Sequence, residues 1–172
     1  AQYDWNKISY SHTAGSNSDK SKVYYIIDID NKGNGKLEYF SSGKPDIKEF
    51  KISKKNLSNL NSEIRKTGIF KIDPKDLISE NSVSSEYIYT MTVTLEREFG
   101  EKYEFKRKKK LNPGKDEIES DKKEKDEGES EKMEVIPVPN NISAKYKKDF
   151  YNLYNKIELM VPGKVWKDVG VD

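Results

Sequence analysis

The chain contains one histidine, His12, and no cysteine. Imidazole is the side chain that titrates nearest neutral pH, so acid–base chemistry in this protein would fall to His12. A Ser-His-Asp site also needs a positioned serine, and no Gly-x-Ser-x-Gly elbow surrounds any serine of the chain. Ser41-Ser42-Gly43-Lys44 matches Ser-x-x-Lys literally, as does Ser120 with Lys123, but neither has the accompanying Ser-Asp-Asn and Lys-Thr-Gly motifs. The missing thiols exclude disulfides, cysteine nucleophiles, iron–sulfur clusters and Cys-type zinc sites. A solitary imidazole excludes His-pair metal sites. These absences favour a protein that binds over one that catalyses, with no cofactor and no metal expected.

Three other patterns resemble sites. Asp28, Asp30, Asn34 and Gly35 have the composition of a calcium loop. Counting from Asp30 puts Lys32 at position three and Ser41 at twelve, and counting from Asp28 puts Lys32 at five and Tyr39 at twelve. Neither frame supplies the bidentate Glu, and both insert a cation among the ligands, so a turn between two strands explains the residues better. Lys106-Arg107-Lys108-Lys109-Lys110 could meet phosphate or anionic lipid, but it adjoins an acidic segment and has no aromatic platform, so nucleic acid is not an expected partner. The 11 tyrosines are a broader signal. Tyr24, Tyr25, Tyr39, Tyr87, Tyr89 and Tyr103 fall in strand-like segments, where outward-facing rings would serve a protein interface. The sequons Asn56-Leu57-Ser58 and Asn141-Ile142-Ser143 are at the level expected by chance in a chain rich in Asn and Ser.

The elements that must position these residues follow from periodicity. Tyr3, Trp5, Ile8 and Tyr10 mark a first strand, followed by an expected loop over 11–21. Residues 22–30 and 36–40 flank the turn Asn31-Lys32-Gly33-Asn34-Gly35, a hairpin signal, and 47–53 forms a further strand. Ser53 caps a helix whose Leu57, Leu60 and Ile64 share a face, and Gly68 ends it. Asp73-Pro74-Lys75-Asp76 reads as a turn or helical turn. A long hairpin is expected from 86–96, a turn at Gly100, and 102–110. Residues 133–139 are extended, with prolines that fit an edge. A second helix opens at Ser143, carries Tyr146, Phe150, Leu153, Ile157 and Met160 on one face, and stops at Pro162-Gly163. Trp166 is expected to dock back on the fold.

The 172 residues carry 32 Lys or Arg and 30 Asp or Glu, a net charge of +2. Mean hydropathy is −0.97. Both values average unlike parts. Residues 112–132 hold 5 Lys and 9 Asp or Glu with Ile118 as their one strongly apolar side chain. This segment cannot offset its ordering entropy by burial and is expected to be a disordered charged insert. Its net −4 leaves +6 on the remainder of the single domain. No apolar run is long enough to span a bilayer. With few helices between strands, the expected fold is α+β: an antiparallel sheet of four to six strands with two main helices on one face. A start at Ala1 without Met suits an exported protein whose signal peptide has been removed.

The pattern Ile8-x-Tyr10 with Thr13-Ala14-Gly15, the Leu57-x-x-Leu60 helix closing at Gly68-Ile69-Phe70, and Tyr87-x-Tyr89-Thr90-x-Thr92-Val93 resembles the emfourin-like small bacterial proteins over about residues 5–107. The family's paired glycines after the first strand are here Ala14-Gly15, and the charged insert and Tyr-rich second helix have no counterpart. The resemblance implies an inhibitor of thermolysin-type metalloproteases, with the loop from Ser11 to Lys22 entering the protease cleft. Ser11, His12, Thr13, Ala14, Gly15 and Ser16 are accordingly the candidate protein-binding residues, and the partner is a protein, a protease in the leading reading. The alternative is a bacterial surface or envelope protein that binds host or matrix components.

Overall fold

A computed structural model describes residues 3–16, 23–41, 44–79, 87–98 and 133–171. The insert expected at 112–132 and the strand expected at 102–110 lie outside these residues. The described strands are β1 Lys7–Ser16, β2 Val23–Asp30, β3 Asn34–Phe40, β4 Pro45–Lys51, β5 Tyr87–Glu98 and β6 Met133–Val138. They form a six-stranded sheet in the order β4-β3-β2-β1-β5-β6. Every neighbouring pair is antiparallel. The helices are α1 Lys54–Lys66, α2 Pro74–Leu77, α3 Ala144–Met160 and α4 Gly163–Asp168. The α+β fold expected from the sequence is thus present, with β1 near the middle of the sheet.

Register explains which face is buried. Ile8 lies opposite Ile29, Tyr10 opposite Ile27 and His12 opposite Tyr25. Ile27 in turn faces Leu37, and Ile29 faces Gly35. Side chains alternate between faces with period two, so these residues all point to one side. Ile8, Tyr10, Ile27, Ile29 and Leu37 are buried there together with Leu60, Ile64, Phe150, Leu153 and Ile157 of the helices. Each such side chain contributes about 1.5–3 kcal/mol through its removal from water. Ser9, Ser11, Thr13, Tyr24, Ile26, Asp28, Lys36, Glu38 and Phe40 point to the opposite face.

Local chemistry sets the helix ends. The Ser53 side chain accepts from the Asn56 amide at 3.2 Å and opens α1, and Gly68, at φ 72°, occupies the left-handed position just beyond its end. Pro74 starts α2 where a missing N–H costs nothing, while Asp73 accepts from the Lys75 amide at 3.1 Å. The three residues Asn31-Lys32-Gly33 connect β2 to β3, with Gly33 at φ 92°, a three-residue hairpin loop with glycine in the positive-φ position. The indole of Trp5 is fully buried and donates to Asn61 Oδ1 at 3.0 Å, tying the start of β1 to α1.

Two expectations need correction. The loop placed at 11–21 begins no earlier than residue 17, because β1 continues to Ser16, paired with β2 as far as Ala14 and with β5 as far as Ser16. Its Ser, Ala and Gly residues look loop-like in isolation, but pairing with the neighbouring strands overrides their weak strand preference. The long hairpin is also revised: β5 is present and its edge from Val93 to Glu98 is held by β6, while 102–110 lies outside the described residues. The second helix stops before Pro162-Gly163 as expected, and the same pair starts another. Pro162 caps α4, and its carbonyl accepts from Val165 and Trp166 amides at 2.9 and 3.3 Å. The docking expected of Trp166 is realised, since its ring meets Tyr25 edge-on at 5.2 Å.

Candidate functional site

The candidate residues Ser11 to Ser16 occupy consecutive positions of β1, paired with β5 throughout and with β2 as far as Ala14, so they are strand residues rather than a loop. Alternation divides them. Ser11 and Thr13 face the side without helices, and His12 faces the helices. Gly15 and Ser16 pair with Ile88 and Tyr87.

His12 is half-buried in an aromatic cluster. Its ring stacks on Tyr25 at 4.8 Å and 12°, and Tyr25 stacks on Tyr39 at 6.1 Å and 12°. Tyr10 stacks on Tyr154 of α3 at 5.2 Å. The Tyr10 hydroxyl donates its one proton to Glu158 Oε1 at 2.7 Å and lies 3.2 Å from His12 Nδ1. Its oxygen accepts from the imidazole in the tautomer that carries the proton on Nδ1. Burial pushes the imidazole below its ordinary pKa, and the Glu158 carboxylate opposes that shift only in part. The chain Glu158–Tyr10–His12 therefore holds a neutral imidazole in a fixed orientation and fastens α3 to β1. Tyr154 adds a buried hydroxyl with no hydrogen-bond partner among the described residues, and burial, then Tyr151, raise its pKa.

His12 stands out in the sequence as the one imidazole, whereas nothing local marks Tyr10, Tyr154 and Glu158 as its surroundings. A signal for the burial of Tyr154 was present, since it follows Phe150 by four residues and precedes Ile157 by three. Glu158 carried no such signal, because one carboxylate beside an apolar stripe looks like any solvated residue.

The second surface is the face opposite the helices. Among the described residues no helix lies on it. Tyr24 and Phe40 are cross-strand partners whose rings lie 4.9 Å apart. Ile26 follows in the next row, beside Glu38, and Ile47 beyond it is 55% exposed. Toward the β2–β3 turn the face becomes charged. Lys36 meets Glu38 at 2.9 Å and Asp28 at 3.7 Å, and Ser9 donates to Asp28. The hydrogen bond to Glu38 is the main cause that raises the Lys36 pKa. Lys7, Asp28, Asp30, Asn34, Lys36 and Glu49 help line a shallow hollow of about 370 Å³ here.

The calcium-like residues form part of this turn. Asp30 Oδ1 accepts from the Lys32 and Asn34 amides, each at 2.9 Å, and Oδ2 accepts from Asn34 Nδ2 at 2.8 Å. Burial raises the Asp30 carboxyl, but the Asn34 and Lys32 hydrogen bonds outweigh it and hold the pKa below its ordinary value. The carboxylate thus closes the hairpin. Among the described residues no group of three or more His, Cys, Asp or Glu side chains is arranged to hold a metal ion, and no helix is long and apolar enough to cross a membrane.

In comparison with known proteins, no family model matches the chain and no curated protein matches it.

Proposed function

We propose that the chain is a non-enzymatic binding module that engages another protein through the face of its sheet that no helix covers among the described residues. The observation that carries this reading is the Tyr24–Phe40 pair with Ile26 and exposed Ile47 alongside, next to a charged field of Lys36, Asp28 and Glu38. Aromatic and aliphatic side chains beside polar, orientable groups are the composition of a protein-recognition patch. His12 belongs to the packing of the opposite face, where it orders the sheet against α3. The emfourin-like pattern makes a thermolysin-type metalloprotease the leading partner, and an exported location belongs to the same reading.

Titration of a thermolysin-type protease with the purified chain tests the partner. Stoichiometric loss of activity is expected, weakened at least tenfold by Tyr24→Ala with Phe40→Ala. Full protease activity at micromolar excess of the chain would end the protease reading. Binding to immobilised matrix proteins that the same double substitution abolishes would then favour the surface-protein alternative. Deleting 12–16 is not a usable control, because it removes half of a central strand.

A further inference from the structure

We propose that β4 is a self-recognition edge, through which two copies of this chain pair antiparallel to form one continuous sheet. Among the described residues β4 ends the strand order and pairs only with β3. The Ile52 amide donates to Gly33 O at 2.8 Å across the end of this ladder. Backbone groups in an antiparallel strand alternate sides, so Phe50, Lys48 and Asp46 turn theirs to β3 while Ile47, Glu49 and Lys51 turn theirs outward. Pro45 falls on the outward side, where its missing N–H leaves the β3 ladder intact. Among the described residues the other edge of the sheet is β6, which has Pro137 within the strand, and this removes a donor from its side away from β5.

Charge selects the second copy as the occupant. A two-fold axis at Ile47 makes Ile47 its own partner in a hydrogen-bonded pair, and the Glu49 amide of each chain reaches the Pro45 carbonyl of the other. In the same register Asp46 of each chain lies directly across from Lys48 of its mate, twice over. These are non-hydrogen-bonded positions, where cross-strand side chains come closest. Neither Asp46 nor Lys48 has an ion-pair partner among the described residues. The two Ile47 side chains, each 55% exposed in one chain, meet at the axis. Charges and proline on an edge ordinarily discourage pairing with other strands. Here the Ile47-centred register turns those charges into complementary pairs, so the edge rejects general strands and accepts its own copy.

Sedimentation equilibrium of the full chain tests this. Wild type is expected to dimerise reversibly with rising concentration. Asp46→Lys and Lys48→Asp each set two like-charged pairs across the axis and should weaken the dimer about tenfold or more. Mixing the two variants restores both pairs, so the equimolar mixture should dimerise, as should the double variant Asp46→Lys/Lys48→Asp. Circular dichroism establishes that each variant is folded. If a charge variant is not folded, Ile47→Lys, at an exposed position, places like charges on the axis and should give monomer. A wild-type chain that stays monomeric at hundreds of micromolar, a dimer indifferent to the charge variants or to Ile47→Lys, or a mixture that stays monomeric would overturn the proposal.

Discussion

Replacing Gly35 by alanine sets two opposed effects against each other, and the structure decides the sign. Gly35 lies in β3 directly opposite Phe50 of β4, and the Phe50 ring is packed over it. A Cβ at Gly35 would sit 2.2, 2.4 and 2.7 Å from three Phe50 ring carbons, well inside any van der Waals contact, so the ring would have to leave. Phe50 is only 7% exposed, and losing most of that burial costs about 1.5–3 kcal/mol. Alanine recovers roughly 0.5–1 kcal/mol, because it surrenders less backbone entropy than glycine in a strand. The net expectation is a destabilisation of about 1–2 kcal/mol, read as a shift in the urea midpoint at unchanged slope. In a Phe50→Ala background the ring is absent, and the same Gly35→Ala change should become neutral or stabilising by up to about 1 kcal/mol. That reversal is a coupling of about 2 kcal/mol between directly packed residues. A neutral Gly35→Ala, or an equal loss in both backgrounds, would refute the account of how β4 is held to the sheet.

The aromatic cluster supports three further tests. Tyr10→Phe keeps the stack on Tyr154 but removes the proton donated to Glu158, and should cost about 1.5–3 kcal/mol in chemical unfolding; a change below about 0.5 kcal/mol would show that this bond does not fasten α3. Tyr154→Phe removes a buried hydroxyl that lacks a partner among the described residues, so stability should be unchanged or rise by up to about 1 kcal/mol, and a loss beyond that would reveal a bond to that oxygen. The third concerns pH. Because burial lowers the His12 pKa, the unfolded chain binds the proton more readily than the folded one, so stability rises with pH through this window. The contribution is complete above the unfolded value of about 6.5 and is lost as pH falls from there toward the folded pKa. Melting temperatures should drop between pH 7 and pH 5, and His12→Gln should flatten that dependence, because the chain has no second histidine to titrate there. An equal slope in both proteins would count against a neutral, desolvated imidazole.

Elements with a single dominant period were legible in the sequence. The α1 stripe Leu57, Leu60, Ile64 and the cap Ser53 lie where periodicity and capping chemistry placed them, and so does the stripe of α3. The β2–β3 hairpin was readable from Asn31 to Gly35 because a positive-φ glycine in a short loop has few alternatives. What could not be read was pairing between distant segments. Ser11 to Ser16 have the composition of a loop and become a strand through pairing with β5, joined by β2 as far as Ala14. The partner of β5 was misplaced for the same reason. A Gly at 100 signals a local turn, whereas β6 arrives from residue 133, and no local pattern in β5 distinguishes the two.

The candidate site was visible in the same uneven way, and the reason is geometric. In 23–30 the apolar residues do not alternate: Tyr24 and Ile26 fall on one face and Tyr25, Ile27 and Ile29 on the other. A strand apolar on both sides in an antiparallel sheet needs cover on both faces, or it leaves one apolar side for a partner. Helices cover the Ile27 face, and among the described residues nothing helical covers the Tyr24 face. The residues of β2 therefore held the argument for an uncovered apolar face, which the strand tyrosines also signal, while the loop-like composition of 11–21 pointed to the neighbouring strand as well. Pairing through β4 would bring two such faces into one surface, with Ile47 of each copy at the centre, so the Asp46 and Lys48 variants ask whether a partner meets one face or two.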